Sequence, residues 1–537
     1  MKHTFEKLKL DQEAKAKEKK RTRAWRTFAG IFLIAQAAAS GYIFYKAFTL
    51  GMIPGKLLFI AGGLILVLFF INYLLFFAGA KAGGARNFRR FIAILLSLAI
   101  CGGSLYAGNI LNTIGETRDR ITRSDKETVA ATMDVYVQSR DSATSLSDLK
   151  GCTFGVMGGT DGAASFAAIT KIDNEINANV DAKDYPSLTS LADALYHNET
   201  QVVLIDPNYV DILLETEQYS DFEEKAKLLT TINITPEELT AAAASNPYKN
   251  TNRLETPVEL EPATGKVASI DQQPFIVYIS GSDTRDTMFK VSRSDVNILM
   301  VVNPQTKQIL LLNTPRDYFV PNPRSSSGTK DKLTHLGIYG VDCSITGLEE
   351  LYGCDINYYV QINFTGTEKL IDDIGGISIE NPQAFSSRGY TFPTGEITLN
   401  GPQAVVYARE RYAFADGDNM RGQNQMRLIK AIIQKLTTSG TTLILNYKAI
   451  LTDLDGFIVT NLESDEIDNL VKMQLNDLAS WNVRSYAVTG SGGSDYTYSM
   501  PGQKLYVTYP DMNTVKHGSE LINKVIRGET LTDKDVE

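Results

Sequence analysis

Three stretches near the N-terminus, residues 28–45, 57–80 and 91–111, contain no charged side chain over 18, 24 and 21 residues. As helices rising about 1.5 Å per residue, each is long enough to cross a hydrocarbon core of ~30 Å. They are therefore expected to be membrane-crossing helices, and they fix the organisation of everything that follows. The first is the most polar of the three, with Ala, Gly, Ser and Gln among its apolar residues. A cleaved signal peptide fits poorly, because two more apolar stretches follow and the charged leader is long.

Charge sets the expected orientation. Residues 1–26 hold 10 Lys/Arg, the 46–56 loop two and the 81–90 loop four. The positive-inside rule then places the N-terminus in the cytoplasm and residues 112–537 outside, in a multi-pass cell-membrane protein. The whole chain is −9 while residues 1–111 are +12, so the remainder carries −21. A region that acidic is no general polyanion binder, so any phosphate it takes must sit in a focused pocket. Four cysteines, Cys101, Cys152, Cys343 and Cys354, do not make a disulfide framework.

Beyond the membrane stretches, residues 112–250 read as a small α/β accessory domain. Strands are expected at 133–137, 153–157 and 201–205. A Gly-rich turn, 158–162, precedes an Ala-rich helix. Such a turn can hold an anion, but a plain tight turn in a structural domain is the favoured reading, because the motif alone is weak evidence. Residues 251–274, with three prolines, read as a linker. From 275 to 437 strands alternate with helices: strands at 275–279, 296–302, 308–313, 356–362 and 395–399, helices at 339–352, 365–374, 402–407 and 419–436. This pattern predicts an α/β layered sheet. Residues 438–537 read as a C-terminal extension packing on that domain.

Between Gly281 and Gln425 the chain spaces out arginines and aspartates: Asp283, Arg285, Arg293, Asp295, Arg316, Arg409, Arg411, Arg421 and Gln425. Arginine keeps its charge and offers forked donors that match phosphate oxygens. Aspartates among such arginines suggest a hard divalent cation. Arg409 and Arg411 flank Glu410, so an extended backbone would aim both guanidiniums to one side. Arg421 and Gln425 stand i,i+4 and share a helix face. Asp283 lies just past an expected buried strand, where α/β sheets carry their active-site loops. Taken singly, each is commonly a solvated surface charge, and Arg409, Glu410 and Arg411 fit a surface ion-pair network.

The ordered set resembles the LytR–CpsA–Psr family of cell-envelope proteins over about 275–437. The resemblance is carried by Gly281-Ser-Asp-Thr-Arg285, Arg293-Ser-Asp295, Leu312-Asn-Thr-Pro-Arg-Asp317, Lys332-Leu-Thr-His335, Tyr358-Tyr-Val-Gln-Ile-Asn-Phe364, Asp373-Ile-Gly-Gly376, Tyr407-Ala-Arg-Glu-Arg411 and Asp418-Asn-Met-Arg-Gly-Gln423. Three spans and an accessory domain are similar to the capsule-associated CpsA branch. The resemblance implies an α/β/α domain with a mixed central sheet and a long apolar pocket for a polyprenyl tail. It implies transfer of a glycopolymer from an undecaprenyl-diphosphate carrier to peptidoglycan, leaving a phosphodiester. Asp283 and Asp295 match Mg²⁺-associated carboxylates. Arg293, Arg316, Arg409, Arg411, Arg421 and Gln425 match the diphosphate-binding set, and Asp283 is the first choice of general base. The implied partners are undecaprenyl-diphosphate-linked polysaccharide, peptidoglycan, the membrane and capsule-assembly proteins.

Three other functions compete. A DNA-binding transcriptional attenuator would use residues 1–26, but these are short, contain four acids and show no helix-turn-helix pattern, so nucleic acid is not an expected partner. A polyprenyl-diphosphate phosphatase would use the same arginines, with water replacing the sugar hydroxyl. A polysaccharide-length regulator would act through residues 112–250.

Overall fold

A computed structural model of the chain describes residues 2–78, 84–122, 130–158, 162–248, 260, 265–282, 292–415, 417–438 and 440–537. Asp283 and Arg285, most of the expected linker and residues 159–161 of the Gly-rich turn lie outside the described residues. The chain divides into two compact units.

The first unit comprises residues 1–119 and 464–478. Its helices are α1 (Lys2–Thr49), α2 (Gly55–Phe77) and α3 (Gly84–Thr122). All three are long and apolar enough to cross a membrane. The charged tail and the first apolar stretch form one continuous helix rather than separate elements. One polar residue from each helix meets in the interior: Asn72 Nδ2 donates to Gln36 Oε1 and to Ser97 Oγ, both at 2.7 Å. Where water is absent, such pairing satisfies polar side chains and fixes helix register. The helix Ser464–Asp477 belongs to this unit, with Ser464 Oγ donating to Asp119 Oδ1 at 2.9 Å and Arg118 ion-paired to Asp468.

The second unit holds two sheets. The accessory sheet is built from β1 (Ala131–Gln138), β2 (Thr153–Met157), β3 (Asp181–Tyr185), β4 (Val202–Ile205) and β5 (Ala226–Ile234). Its order is β3-β2-β4-β1-β5, with β2 parallel to both neighbours and β1 antiparallel to both of its own. Helices α4 (Gly162–Ile176), α5 (Leu188–Tyr196), α6 (Pro207–Leu214), α7 (Phe222–Lys225) and α8 (Pro236–Ser245) accompany it. The helices α4 and α8 share one apolar core with the sheet, and α5 and α6 share the other. Local chemistry starts α6: the Asp206 side chain caps the Asn208 N–H and Pro207 fills the first turn, where its missing N–H costs nothing.

The larger sheet has six strands in the order β16-β11-β6-β7-β8-β17. These strands are β6 (Phe275–Ser282), β7 (Val296–Asn303), β8 (Gln308–Asn313), β11 (Tyr358–Asn363), β16 (Ile458–Thr460) and β17 (Asn482–Ala487). Between them come β9 (Phe319–Pro321), β10 (Lys330–Lys332), α9 (Leu333–Leu336) and α10 (Val341–Tyr352). After β11 follow α11 (Phe364–Asp373), β12 (Ile377–Asn381), β13 (Phe385–Ser387), β14 (Tyr390–Phe392), β15 (Gly395–Leu399), α12 (Gly401–Arg409), α13 (Gly417–Thr438) and α14 (Gly440–Leu454). The Ser464–Asp477 helix is α15, and β18 (Gly490–Tyr496), β19 (Lys504–Pro510) and α16 (Met512–Ile526) close the chain.

The sheet is mixed, with β6/β11 and β8/β17 parallel and the remaining pairs antiparallel. Both outer strands come from beyond residue 437, so the tail expected to pack on the domain also completes its sheet. On one face Leu299, Val301, Leu310 and Leu312 are fully buried with residues of α10 and α16. At about 1.5–3 kcal/mol per buried aliphatic side chain, this core anchors the sheet. On the other face α13 lies across β7, β8 and β17. The carboxyl ends of β6, β8 and β11 therefore meet the start of β7 at one edge of the sheet, where ligands of open α/β sheets bind.

Candidate functional site

At that edge a cavity of about 200 Å³ is lined by six of the predicted residues: Asp295, Arg316, Arg409, Arg411, Arg421 and Gln425. Residues more than 100 positions apart in sequence are brought together by the sheet ends. Asp295 stands immediately before β7, its N–H bonded to the Gly281 carbonyl of β6 at 2.8 Å. Arg316 leaves the turn after β8. Arg409 is the last residue of α12, which begins with a reciprocal Asn400–Gln403 capping box and Pro402 in its first turn. Glu410 is extended, at φ −67° and ψ 129°, and carries the chain round to Arg411. Arg409 is helical rather than extended, yet both guanidiniums line the cavity.

Arg421 and Gln425 project from the first turns of α13, as their spacing predicts. Gly422 lets this helix approach β8: a Cβ there would stand 2.3 Å from the Asn313 Nδ2. Two of the cavity's arginines lie over aromatic rings. The Arg409 guanidinium is 4.2 Å from the Phe364 ring centroid, and Arg411 is 4.7 Å from that of Tyr412. Arg411 Nη2 also donates to the Tyr412 hydroxyl at 2.6 Å. A ring face supports the flat side of a guanidinium and holds its plane in place.

Sequence reasoning missed Arg388, which also lines the cavity. It sits in the two-residue turn between β13 and β14, where Arg388 and Gly389 have φ of 46° and 85°. Positive φ at both central positions is the hairpin turn that matches strand twist. Arg388-Gly389 was its only sequence signal, and the short strands on either side carried too few residues to show alternation.

Arg293 stands apart. The resemblance placed it in the diphosphate set, but it does not line the cavity. Its Nη1 donates to Glu215 Oε1 at 2.7 Å, and its Nη2 is 3.2 Å from Asp211 Oδ2. Both carboxylates come from the accessory domain, which no local pattern in the sequence paired with Arg293. Glu215 Oε1 also accepts from Arg316 Nη2 at 2.9 Å, and its Oε2 accepts from Lys332 Nζ at 2.6 Å. Burial would raise the Glu215 carboxyl, but the surrounding His335, Lys332, Arg316 and Arg293 outweigh it and hold it at about 2.

Asp295 Oδ1 accepts from Arg316 Nη1 at 2.6 Å and from Thr334 Oγ1 at 3.4 Å. Both contacts fall on one oxygen, so Oδ2 faces no recorded donor among the described residues. Asp295 is thus the expected Mg²⁺-associated carboxylate that stands among the described residues, and no group of three or more His, Cys, Asp or Glu side chains among those residues could hold a metal ion. Asp283, the second expected carboxylate and first choice of base, lies outside the described residues. His335 is fully buried, with Nδ1 2.8 Å from Ser499 Oγ and 3.1 Å from Asp331 Oδ1.

Comparison with known proteins places this geometry. A polyisoprenyl-teichoic acid–peptidoglycan teichoic acid transferase TagU of Enterococcus faecalis is 35% identical over 202 residues, 37% of this chain and 65% of that protein. The chain thus spans just under two thirds of that relative's length. The TagU of Halalkalibacterium halodurans is 34% identical over 224 residues, 41% of this chain and 71% of that protein. The crystal structure of B. subtilis TagV aligns with a TM-score of 0.41 and 24% identity, covering 48% of this chain and 99% of that one. The LytR_cpsA_psr family model matches residues 237–513, which take in the six-stranded sheet and every cavity residue, and the chain belongs to that family.

Proposed function

We propose that the protein is a membrane-anchored phosphotransferase that moves a glycopolymer from a polyprenyl-diphosphate carrier to a hydroxyl of peptidoglycan, leaving a phosphodiester link. The observation that carries this reading is the cavity itself. Arg316, Arg388, Arg409, Arg411 and Arg421 converge on one small space at the sheet edge. A diphosphate ester resists attack by an oxygen nucleophile until its charge is neutralised, and guanidiniums fixed beforehand do this without reorganisation. The names of the E. faecalis and H. halodurans relatives, which are polyisoprenyl-linked polymer transferases, agree with this chemistry.

In the reaction, the acceptor hydroxyl oxygen bonds to the phosphorus on the glycan side. The bond from that phosphorus to the bridging oxygen breaks, and polyprenyl phosphate leaves with the electron pair. The hydroxyl proton passes to a carboxylate, for which Asp283 is the candidate. Arg409 and Arg411, braced by Phe364 and Tyr412, hold the phosphate oxygens, with Arg421 and Gln425 on the facing helix. Asp295 and Asp283 would hold a Mg²⁺ ion, which when bound supplies further neutralisation of the diphosphate.

The lipid tail needs a dry slot beside the arginines. Half-buried apolar residues of the same domain available to line one are Ile362 on β11, Leu370 on α11, and Ile432 and Leu436 on α13, which pack against its core. They contrast with the fully buried face under α10 and α16, and Ile429 and Ile433 are half-buried as well. Met426 on the same helix is buried in the core. Capsular polysaccharide as the polymer, undecaprenyl as the carrier, and residues 112–537 outside the cell complete the proposal. The Lys/Arg asymmetry and the three long apolar helices support that topology.

Incubating the purified full chain with a polyprenyl-diphosphate oligosaccharide and a peptidoglycan fragment tests the proposal. A phosphodiester-linked conjugate is expected. Free phosphorylated glycan alone would mean that water is the acceptor and the protein a phosphatase.

A further inference from the structure

We infer that Glu215 of the accessory domain is a positioning residue for the cationic cavity, fixing Arg316 on the cavity wall from behind through a paired cluster with Arg293 and Lys332. The inference rests on the diphosphate reading of the cavity given above.

The accessory domain is seated by apolar contact. Tyr209 and Val210 of α6 share a buried core with Met500 and Leu505 from the other domain, with Ile338 packed against it. Glu215 follows directly on α6, so this seating also sets where its carboxylate stands. That carboxylate accepts three charged donors, from Arg293, Arg316 and Lys332, at 2.6–2.9 Å. The Lys332 side chain is only 3% exposed, and its remaining ion pair is Asp317 Oδ1 at 3.2 Å. Three cations packed this closely in a buried place repel one another unless a shared anion pairs them, and removing one partner of a buried set leaves the others uncompensated.

Glu215, Arg293 and Lys332 do not line the cavity, whereas Arg316 does. The carboxylate therefore stands behind the cavity wall and not among its lining residues. Its effect reaches the ligand through Arg316, whose two Nη atoms are held separately. Glu215 takes Nη2, and Asp295, itself on the cavity wall, takes Nη1. A forked guanidinium fastened at both terminal nitrogens keeps one orientation, and bidentate recognition depends on that orientation. The accessory domain thereby contributes to the site without touching the ligand.

The test is calorimetric binding of inorganic pyrophosphate to the full chain in detergent, with thermal unfolding followed in parallel. Wild-type protein should bind, and Arg409→Ala should bind at least about tenfold more weakly, which checks the diphosphate reading separately. Glu215→Gln keeps the shape and removes the charge. It should weaken pyrophosphate by about tenfold at temperatures where the variant is fully folded. Glu215→Asp draws the carboxylate back by one methylene while keeping its charge, and should lose affinity by several-fold. Asp211→Asn, which alters only the exposed partner of Arg293, should bind as wild type. Unchanged affinity in the folded Gln variant would overturn the inference and leave the diphosphate reading standing. Tighter binding would overturn it too, since Glu215 would then be a competitor of the ligand. If the Gln variant does not fold, the Asp variant decides: wild-type affinity there overturns the inference. No pyrophosphate binding by wild-type protein would remove the diphosphate reading and this inference together.

Discussion

Arg409 and Arg411 reach the same cavity by different means, one from a helix end and one from the loop after it. Each guanidinium lies over an aromatic ring. Lysine keeps the charge but neither the fork nor the flat face, so Arg409→Lys and Arg411→Lys should each lower transfer about tenfold or more. Initial-rate assays check this, and wild-type rates in both would return these residues to a surface ion-pair network. Arg388→Ala should cost a similar factor, although nothing in the sequence singled that residue out. What the sequence conveyed at this scale was residue type at motif spacing: six of its nominated residues do line one cavity. It could not convey Arg388, whose place depends on a hairpin turn of only two residues, or Glu215, whose partners lie 78 to 117 positions away.

Among elements, α13 depends on a missing side chain. A Cβ at position 422 would press on the Asn313 side chain, close to Asn313 Nδ2 at 2.3 Å and its Cγ at 2.9 Å. Gly422→Ala should therefore push the helix off β8, carry Arg421 and Gln425 outward, and cut activity more than stability. Measuring kcat/KM beside the unfolding midpoint separates the two. The join between domains makes a pH prediction. Glu215 is held at about 2, below the ordinary 4.5 of its carboxyl. Its contribution is fully present above about pH 4.5 and is lost as pH falls from there through about 2, amounting to about 3 kcal/mol at most. Denaturant unfolding should show wild type more stable than Glu215→Gln at pH 6, with the gap closing towards pH 3. A gap independent of pH would show that the ion cluster does not stabilise the join. Strand and helix positions were legible from alternation and from Gly and Pro punctuation. That the tail beyond 437 also supplies the two outer strands was not legible, because β16 and β17 are short and separated by the Ser464–Asp477 helix, so no local pattern ties them to a sheet begun at residue 275.

On the scale of the whole molecule, three long apolar helices precede an acidic pair of domains with a cationic cavity. The topology proposed from the Lys and Arg asymmetry about those helices puts the cavity outside the cell, and on that proposal protease applied to intact protoplasts should degrade residues 112–537. Protection of those residues would contradict a surface enzyme. If the donor is the proposed polyprenyl carrier, each buried methylene of its tail adds ~0.8 kcal/mol to binding. Length of the lipid should therefore govern affinity more than the sugar it bears. The central claim is that the cavity transfers a phosphorylated glycan to a hydroxyl, and the most direct measurement is the mass of the product. Full-length protein supplied with polyprenyl-diphosphate oligosaccharide, peptidoglycan fragment and Mg²⁺ should yield a conjugate whose mass equals glycan plus acceptor joined through one phosphate. Recovery of free glycan phosphate with the acceptor unmodified would contradict the claim.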